Sequence, residues 1–157
     1  MIKAHTTLVV GIGNDFRRDD GVGRAVAAKI RAWNNPQVET RLFNRGSIEL
    51  INDWKEYAKV YVIDAVVSGE DPGKVFRFTV PPQQLPATHF CTSTHAFNLA
   101  DVVRLAGTLN ALPDTLIIYG VEAKSVDHGE GLTPEVQTGA DMVVRNISAE
   151  LNIPYSP

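Results

Sequence analysis

Short apolar runs of β type alternate with helical patterns along the chain. This predicts a three-layer α/β/α sandwich built on a mostly parallel, twisted sheet of about five strands. Three observations lead to it. Leu8-Val9-Val10 runs into glycine, and Val22, Val26, Ile30 and Trp33 follow at the spacing of one helical face. Val60-Tyr61-Val62-Ile63 is β-branched and aromatic, as a buried parallel strand requires. Thr133-Pro134-Glu135 opens a last helix with a capping threonine, proline at the first helical position and an acid in the first turn.

The remaining elements fall between these. A weaker strand covers Val38 to Phe43, and Ile48, Leu50 and Ile51 predict a short helix reaching to about Tyr57. The third strand stops at Asp64. Val75, Phe76, Phe78 and Val80 form an additional strand, after which Pro81-Pro82 opens a loop lasting to about Thr94. Leu99, Val102, Val103 and Ala106 give the next helix, with His95 in its first turn and Ser93 or Thr94 as its cap. Leu116-Ile117-Ile118-Tyr119 is a buried strand ending at Gly120. Val136, Ala140, Val143, Ile147 and Leu151 line the inner face of the last helix. No repeat or linker interrupts the series, so residues 1–157 are expected to form one domain.

Composition narrows the classes of function. A chain of 157 residues, 44% hydrophobic, buries a sufficient core without disulfides, and a net charge of −3 gives no pull toward nucleic acid or anionic lipid. Cys91 is the single cysteine, which excludes an internal disulfide and a cysteine-rich zinc site. The N-terminus has no secretory pattern and no apolar run spans a bilayer, so the expectation is a cytoplasmic protein, monomeric, with no membrane or nucleic-acid partner.

In an open α/β sheet, ligands bind outside the carboxyl ends of the strands. Asp20, after the first strand, Asp64, at the end of the third, and His95, opening a helix, are all expected at that edge. Two carboxylates and an imidazole suit a divalent transition metal such as zinc or nickel, and equally suit general acid/base work. Asp19 and Asp20 are not both expected to point inward, because burying a lone carboxylate costs several kcal/mol. Asp19 is assigned to the N-cap of the helix beginning near Gly21, leaving Asp20 to face the site and a compensating cation.

Other features are weighed against plainer readings. Gly11-Ile12-Gly13-Asn14 lacks the third glycine of a dinucleotide fingerprint, so no nucleotide is expected. The glycines instead permit positive φ and close approach of a peptide backbone, and Asn14 braces the turn. Arg17 and Arg18 are assigned to solvent, the alternative being an acidic or C-terminal group on a partner. Cys91, four residues before His95, raises a thiol hydrolase as an alternative, although a free cysteine is ordinarily a small hydrophobe. His89, in the same loop, is assigned to the surface, the alternative being a spare ligand, and Trp33 and Trp54 to anchoring their helices.

The run Gly11-Ile12-Gly13-Asn14-Asp15-Phe16-Arg17-Arg18-Asp19-Asp20-Gly21-Val22-Gly23 resembles the N-terminal signature of the hydrogenase maturation endopeptidases, GxGNx(L/F)xxD(D/E)GxG. Val62-Ile63-Asp64-Ala65, Ser93-Thr94-His95, Tyr119-Gly120-Val121-Glu122 and Leu132-Thr133-Pro134-Glu135-Val136 follow in the family's order, so the resemblance spans nearly the whole chain. It implies that Asp20, Asp64 and His95 bind nickel. It also implies that the enzyme removes a C-terminal extension from the precursor of a nickel–iron hydrogenase large subunit, the nickel arriving with that substrate. A nickel-checking chaperone that binds the precursor without cutting it is the alternative. Ala123 departs from the glycine many members carry after the acid of the fourth segment.

Overall fold

The computed structural model describes residues 3–81 and 98–156. In chain order the elements are β1 (Lys3–Ile12), a 3-10 turn (Arg18–Gly21), α1 (Val22–Arg31), β2 (Val38–Phe43), α2 (Glu49–Trp54), β3 (Tyr57–Val66), β4 (Val75–Val80), α3 (Leu99–Thr108), β5 (Thr115–Glu122) and α4 (Pro134–Leu151). The strands form one sheet in the order β2-β1-β3-β5-β4, parallel except for the antiparallel edge strand β4. The expected sheet and its five strands are therefore present.

Alternation along the strands sorts the core into two layers. Leu8, Val10, Val60, Val62, Leu116 and Ile118 pack on the α2 and α3 side. Val9, Tyr61, Ile63, Ile117, Tyr119 and Val121 pack against α1 and α4, where Val136, Ala140, Val143 and Ile147 are buried as the helical spacing requires. Trp54 is fully buried and donates its indole N–H to the Ala111 carbonyl at 2.9 Å. Trp33, just past α1, packs on Tyr155 with the rings tilted by 31° and their centroids 5.4 Å apart.

Several boundaries differ from the sequence expectation. β1, β3 and β5 each continue beyond their apolar cores, so Asp64 lies inside β3, two residues before its end. A buried carboxylate interrupts the hydrophobic pattern without interrupting the backbone ladder, because the ladder uses only main-chain groups. α2 ends at Trp54, because Tyr57 already belongs to β3. α3 begins at Leu99, not around His95. Its cap is Asn98, whose side chain accepts from Asp101 N–H while Asp101 returns a bond to Asn98 N–H, a reciprocal capping box. The Pro82–Thr94 stretch of the expected loop lies outside the described residues, as do His89, Cys91 and His95.

Close contact between α1 and the sheet depends on two missing side chains, at Gly11 of β1, where a Cβ would stand 2.3 Å from the Gly23 carbonyl oxygen, and at Gly23 of α1. A Cβ on Gly23 would stand 2.2 Å from the Ile63 carbonyl oxygen and 2.5 Å from that of Ile12. Neither oxygen can retreat, since both belong to central strands. Gly23→Ala is expected to destabilise the fold by about 3 kcal/mol, the upper part of the overpacking range, measured by urea unfolding.

Tyr61 and Tyr119 sit side by side on the α4 face, ring centroids 6.4 Å apart. Tyr119 donates its hydroxyl to Glu150 at 2.6 Å, and Glu150 also pairs with Arg77 of β4. Burial, then the bond and the charge of Glu150, push the Tyr119 phenol up to about 12, and burial together with Glu150 pushes Tyr61 higher still. A raised phenol pKa means that the folded state holds the proton more tightly than the unfolded chain. Its contribution is thus complete below pH ~10 and is lost as pH rises toward 12. Alkaline absorbance titration is expected to show these two tyrosines ionising late in the native protein and normally in denaturant.

Candidate active site

β1 and β3 are neighbours, with Gly11 opposite Ile63, so the chain leaving β1 turns over the carboxyl end of β3. Gly13 makes that turn at φ +144, and a Cβ there would lie 1.8 Å from the Asp20 carbonyl oxygen. The close approach expected of these glycines is thus made by the chain's own backbone. Asn14 closes the turn as predicted: its side-chain oxygen accepts from Phe16 N–H at 2.9 Å and its carbonyl accepts from Arg17 N–H at 3.1 Å. Its own N–H points the other way and donates to Asp20 Oδ2 at 2.9 Å.

Asp20 and Asp64 meet at this edge, both buried. Asp64 shares a sheet face with Val62 and Val66, on the α2 and α3 side, and its partner across β5 is Gly120, which puts no side chain beside it. Its Oδ1 accepts from Ala65 N–H at 2.8 Å. Burial first, and the Asp20 carboxylate second, hold the Asp64 carboxyl well above the ordinary carboxylate range against the opposing pull of that N–H. Among the described residues no cationic side chain pairs with either acid, nor does any group of three or more histidine, cysteine or acidic side chains form a metal cluster. The third expected member, His95, lies outside the described residues. The chain enters α3 at this same edge and face, however, since the α3 start packs on Gly46 in the β2–α2 loop.

Asp19 overturns its assignment. Gly21 is the N-cap of α1 and has no side-chain cap; Asp19 is instead fully buried, so both adjacent acids point inward. Burial is tolerable because the carboxylate is saturated. Oδ2 accepts from Lys124 N–H, Ser125 N–H and the Thr133 hydroxyl, each at 2.9 Å, and Oδ1 accepts from Thr133 N–H at 2.8 Å. Thr133 therefore stands at the N-cap position of α4 but spends its hydroxyl on Asp19 and makes no side-chain cap. Around this centre Asp19 N–H donates to Ser125 O, Arg18 N–H to Gly129 O, and Arg17 Nε to Val126 O at 3.1 Å. Arg17 is thus partly engaged by the chain, whereas Arg18 is exposed as expected.

Glu122 does the same work on the other side. Buried at the end of β5, it accepts from Ser68 N–H, the Ser68 hydroxyl and Glu70 N–H, pinning the β3–β4 loop beside the site. Sequence reasoning missed both anchoring roles. For Asp19 the one available signal was Thr133, a residue with two donors at a helix start, but nothing in the sequence pairs positions more than a hundred residues apart. Asp19→Ala would leave three backbone N–H groups and a hydroxyl without their acceptor. At about 1–3 kcal/mol for each buried donor, a loss of at least ~3 kcal/mol is expected in chemical unfolding.

Comparison with known proteins agrees with this architecture. A family model described as hydrogenase maturation protease (HycI) matches residues 26–150. The hydrogenase 2 maturation protease of Escherichia coli is 28% identical over 148 residues, covering 92% of this chain and 89% of that one, and so reaches beyond the matched span. The hydrogenase expression/formation protein HupD of Rhodobacter capsulatus is 26% identical over 154 residues, covering 95% and 72%. Among solved structures, an endopeptidase from Escherichia coli superposes with a TM-score of 0.78 at 25% identity, covering 94% of this chain and 92% of that one. The hydrogenase maturating endopeptidase HybD of Escherichia coli gives a TM-score of 0.76 at 24% identity over the same shares, a likeness of fold. With the family model matched across most of its length, this chain belongs to the hydrogenase maturation proteases and is an endopeptidase of that family.

Proposed function

We propose that the chain removes the C-terminal extension of a nickel–iron hydrogenase large-subunit precursor, and that Asp20, Asp64 and His95 hold the nickel ion that the precursor brings. The observation carrying this reading is the meeting of two buried acids, Asp20 and Asp64, at the carboxyl edge of the sheet in a member of this protease family. Each has one oxygen tied to a backbone N–H, which fixes its direction, and neither has a cationic partner among the described residues. Such a pair is held at a cost until a cation arrives.

Oxygen and imidazole donors suit nickel, and a neutral His95 supplies the imidazole form that binds metal. A docked ion supplies Lewis acidity to the scissile carbonyl or to an attacking water. The chain's own part is to present the two carboxylates in fixed directions, with Asn14 and Ala65 as their orienting donors, so that the ion and the peptide attached to it stop at one place. A thiol mechanism is not needed, and Cys91→Ser is expected to process normally.

The test is processing of nickel-loaded precursor, followed by the mass shift of the large subunit. Asp20→Asn, Asp64→Asn and His95→Ala are each expected to slow cleavage at least ~100-fold, the scale of losing one electrostatic contact to the reacting centre. Asp20→Asn also removes one of two like charges, so the variant is expected to be at least as stable as the parent. Normal cleavage by Asp20→Asn or His95→Ala would refute the assignment.

A further inference from the structure

Phe16, Arg17 and Arg18 are the part of the Gly11–Gly23 segment that the carboxylate site leaves unused. Phe16 is 66% exposed, and its backbone has nothing left to offer: its N–H is taken by Asn14 Oδ1 and its carbonyl by Gly129 N–H, each at 2.9 Å. The ring alone faces outward, on a turn pinned at both ends. Ile48 and Val67, exposed at 54% and 48%, lie in the loops leaving β2 and β3. These three large apolar side chains thus sit at the carboxyl ends of three adjacent strands, on the rim of the site. Single exposed hydrophobic residues are ordinary, but grouping around a site marks a contact surface.

Arg18 adds charge and strain. Its φ of 45 is a left-handed conformation that arginine rarely adopts, kept in place by the bonds of Arg18 N–H to Gly129 and of Asp19 to the β5–α4 loop. Nearby Arg24 pairs with Asp15 at 3.0 Å, whereas neither Arg17 nor Arg18 has an acidic partner among the described residues. The turn therefore carries an exposed aromatic ring and, two residues on, a guanidinium with no acidic partner among the described residues, on a backbone set before any ligand arrives.

We propose that the Phe16–Arg18 turn is the docking edge for the protein substrate, receiving an apolar side chain against Phe16 and an acidic group on Arg18. The occupant is the hydrogenase precursor. A polypeptide cut at Asp20 and Asp64 has to cross this rim, and Phe16 is only two residues from Asn14, whose N–H fixes Asp20. A rigid aromatic anchor costs little conformational entropy on binding, and an exposed cation at the rim steers an acidic partner. This inference rests on the processing activity proposed above.

The experiment measures binding of the full-length chain to labelled precursor by fluorescence anisotropy, every variant being made in the same Asp20→Asn background, whose slowed cleavage keeps the precursor intact during the measurement. Phe16→Ala and Arg18→Gly are each expected to weaken Kd by at least ~10-fold, a scale typical of an interface anchor. Glycine keeps the left-handed backbone while removing the cation. Phe16→Leu and Arg18→Lys should restore most of the affinity, Arg18→Gly should reduce its salt dependence, and Leu109→Ala, exposed at the far side of α3, should bind unchanged. Thermal melts of each variant separate docking from folding. Parent-like binding by folded Phe16→Ala and Arg18→Gly would overturn the proposal. So would loss of self-association with precursor binding intact, which would make the edge a contact between copies of this chain. If the Asp20→Asn protein binds precursor through this turn but the parent never cuts it, the processing reading fails and the docking edge stands.

Discussion

Asp19 draws the two halves of the chain together. Its carboxylate collects donors from Lys124, Ser125 and Thr133, and so fastens the loop between β5 and α4 to the turn between β1 and α1. The other bonds between these loops, from Arg17, Arg18, Gly129 and the Asp19 N–H itself, flank that one anion. A buried carboxylate is the strongest acceptor a chain can place at such a junction, and it is affordable only when every lone pair is used. Here two of the donors are backbone N–H groups of the loop just after β5, Lys124 and Ser125, and the other two are the N–H and hydroxyl of Thr133 at the N-cap of α4.

The next residue meets the opposite condition. Asp20 receives one N–H from Asn14, and its carboxylate acts on another buried acid, Asp64. Adjacent aspartates thus differ in kind: saturation gives one of them structural value, while incomplete compensation leaves the other, on the proposed reading, free to meet a cation. Neither arrangement works alone. Without Asp19 and its loop, the turn that holds Asp20 over β3 would lose its outer wall. Without Glu122 gripping Ser68 and Glu70, the loop beyond Asp64 would lose its anchor.

The fold was readable because its signals are local. Val60 to Ile63 and Leu116 to Tyr119 declare central strands by composition, and the period of Val136, Ala140, Val143 and Ile147 gives the face of α4. The edge position of the site followed from the topology, and Asp20 and Asp64 do meet there. The strand ends were harder, since β3 runs through Asp64 on backbone bonds that carry no side-chain signature. Asp19 was misassigned for a related reason. An acid before a helix is ordinarily a cap, and its actual donors come from a loop over a hundred residues away. The start of α3 was also displaced, because Ser93 and Thr94 offered the same capping chemistry as Asn98, and only the reciprocal bond with Asp101 distinguishes them.

On the proposed reading, the unbalanced pair also explains how a protease can wait for a finished substrate. Two buried acids turn negative oxygen toward the partial negative charge of an approaching peptide carbonyl, so the empty site disfavours the reaction. A divalent ion carried by the precursor reverses the sign of the local field and relieves the cost of holding the acids apart from water. The free energy of that relief is available only to a precursor already bearing its metal. Discrimination between loaded and unloaded substrate then needs no separate sensor; it follows from leaving Asp20 and Asp64 uncompensated while Asp19, one residue away, is fully satisfied.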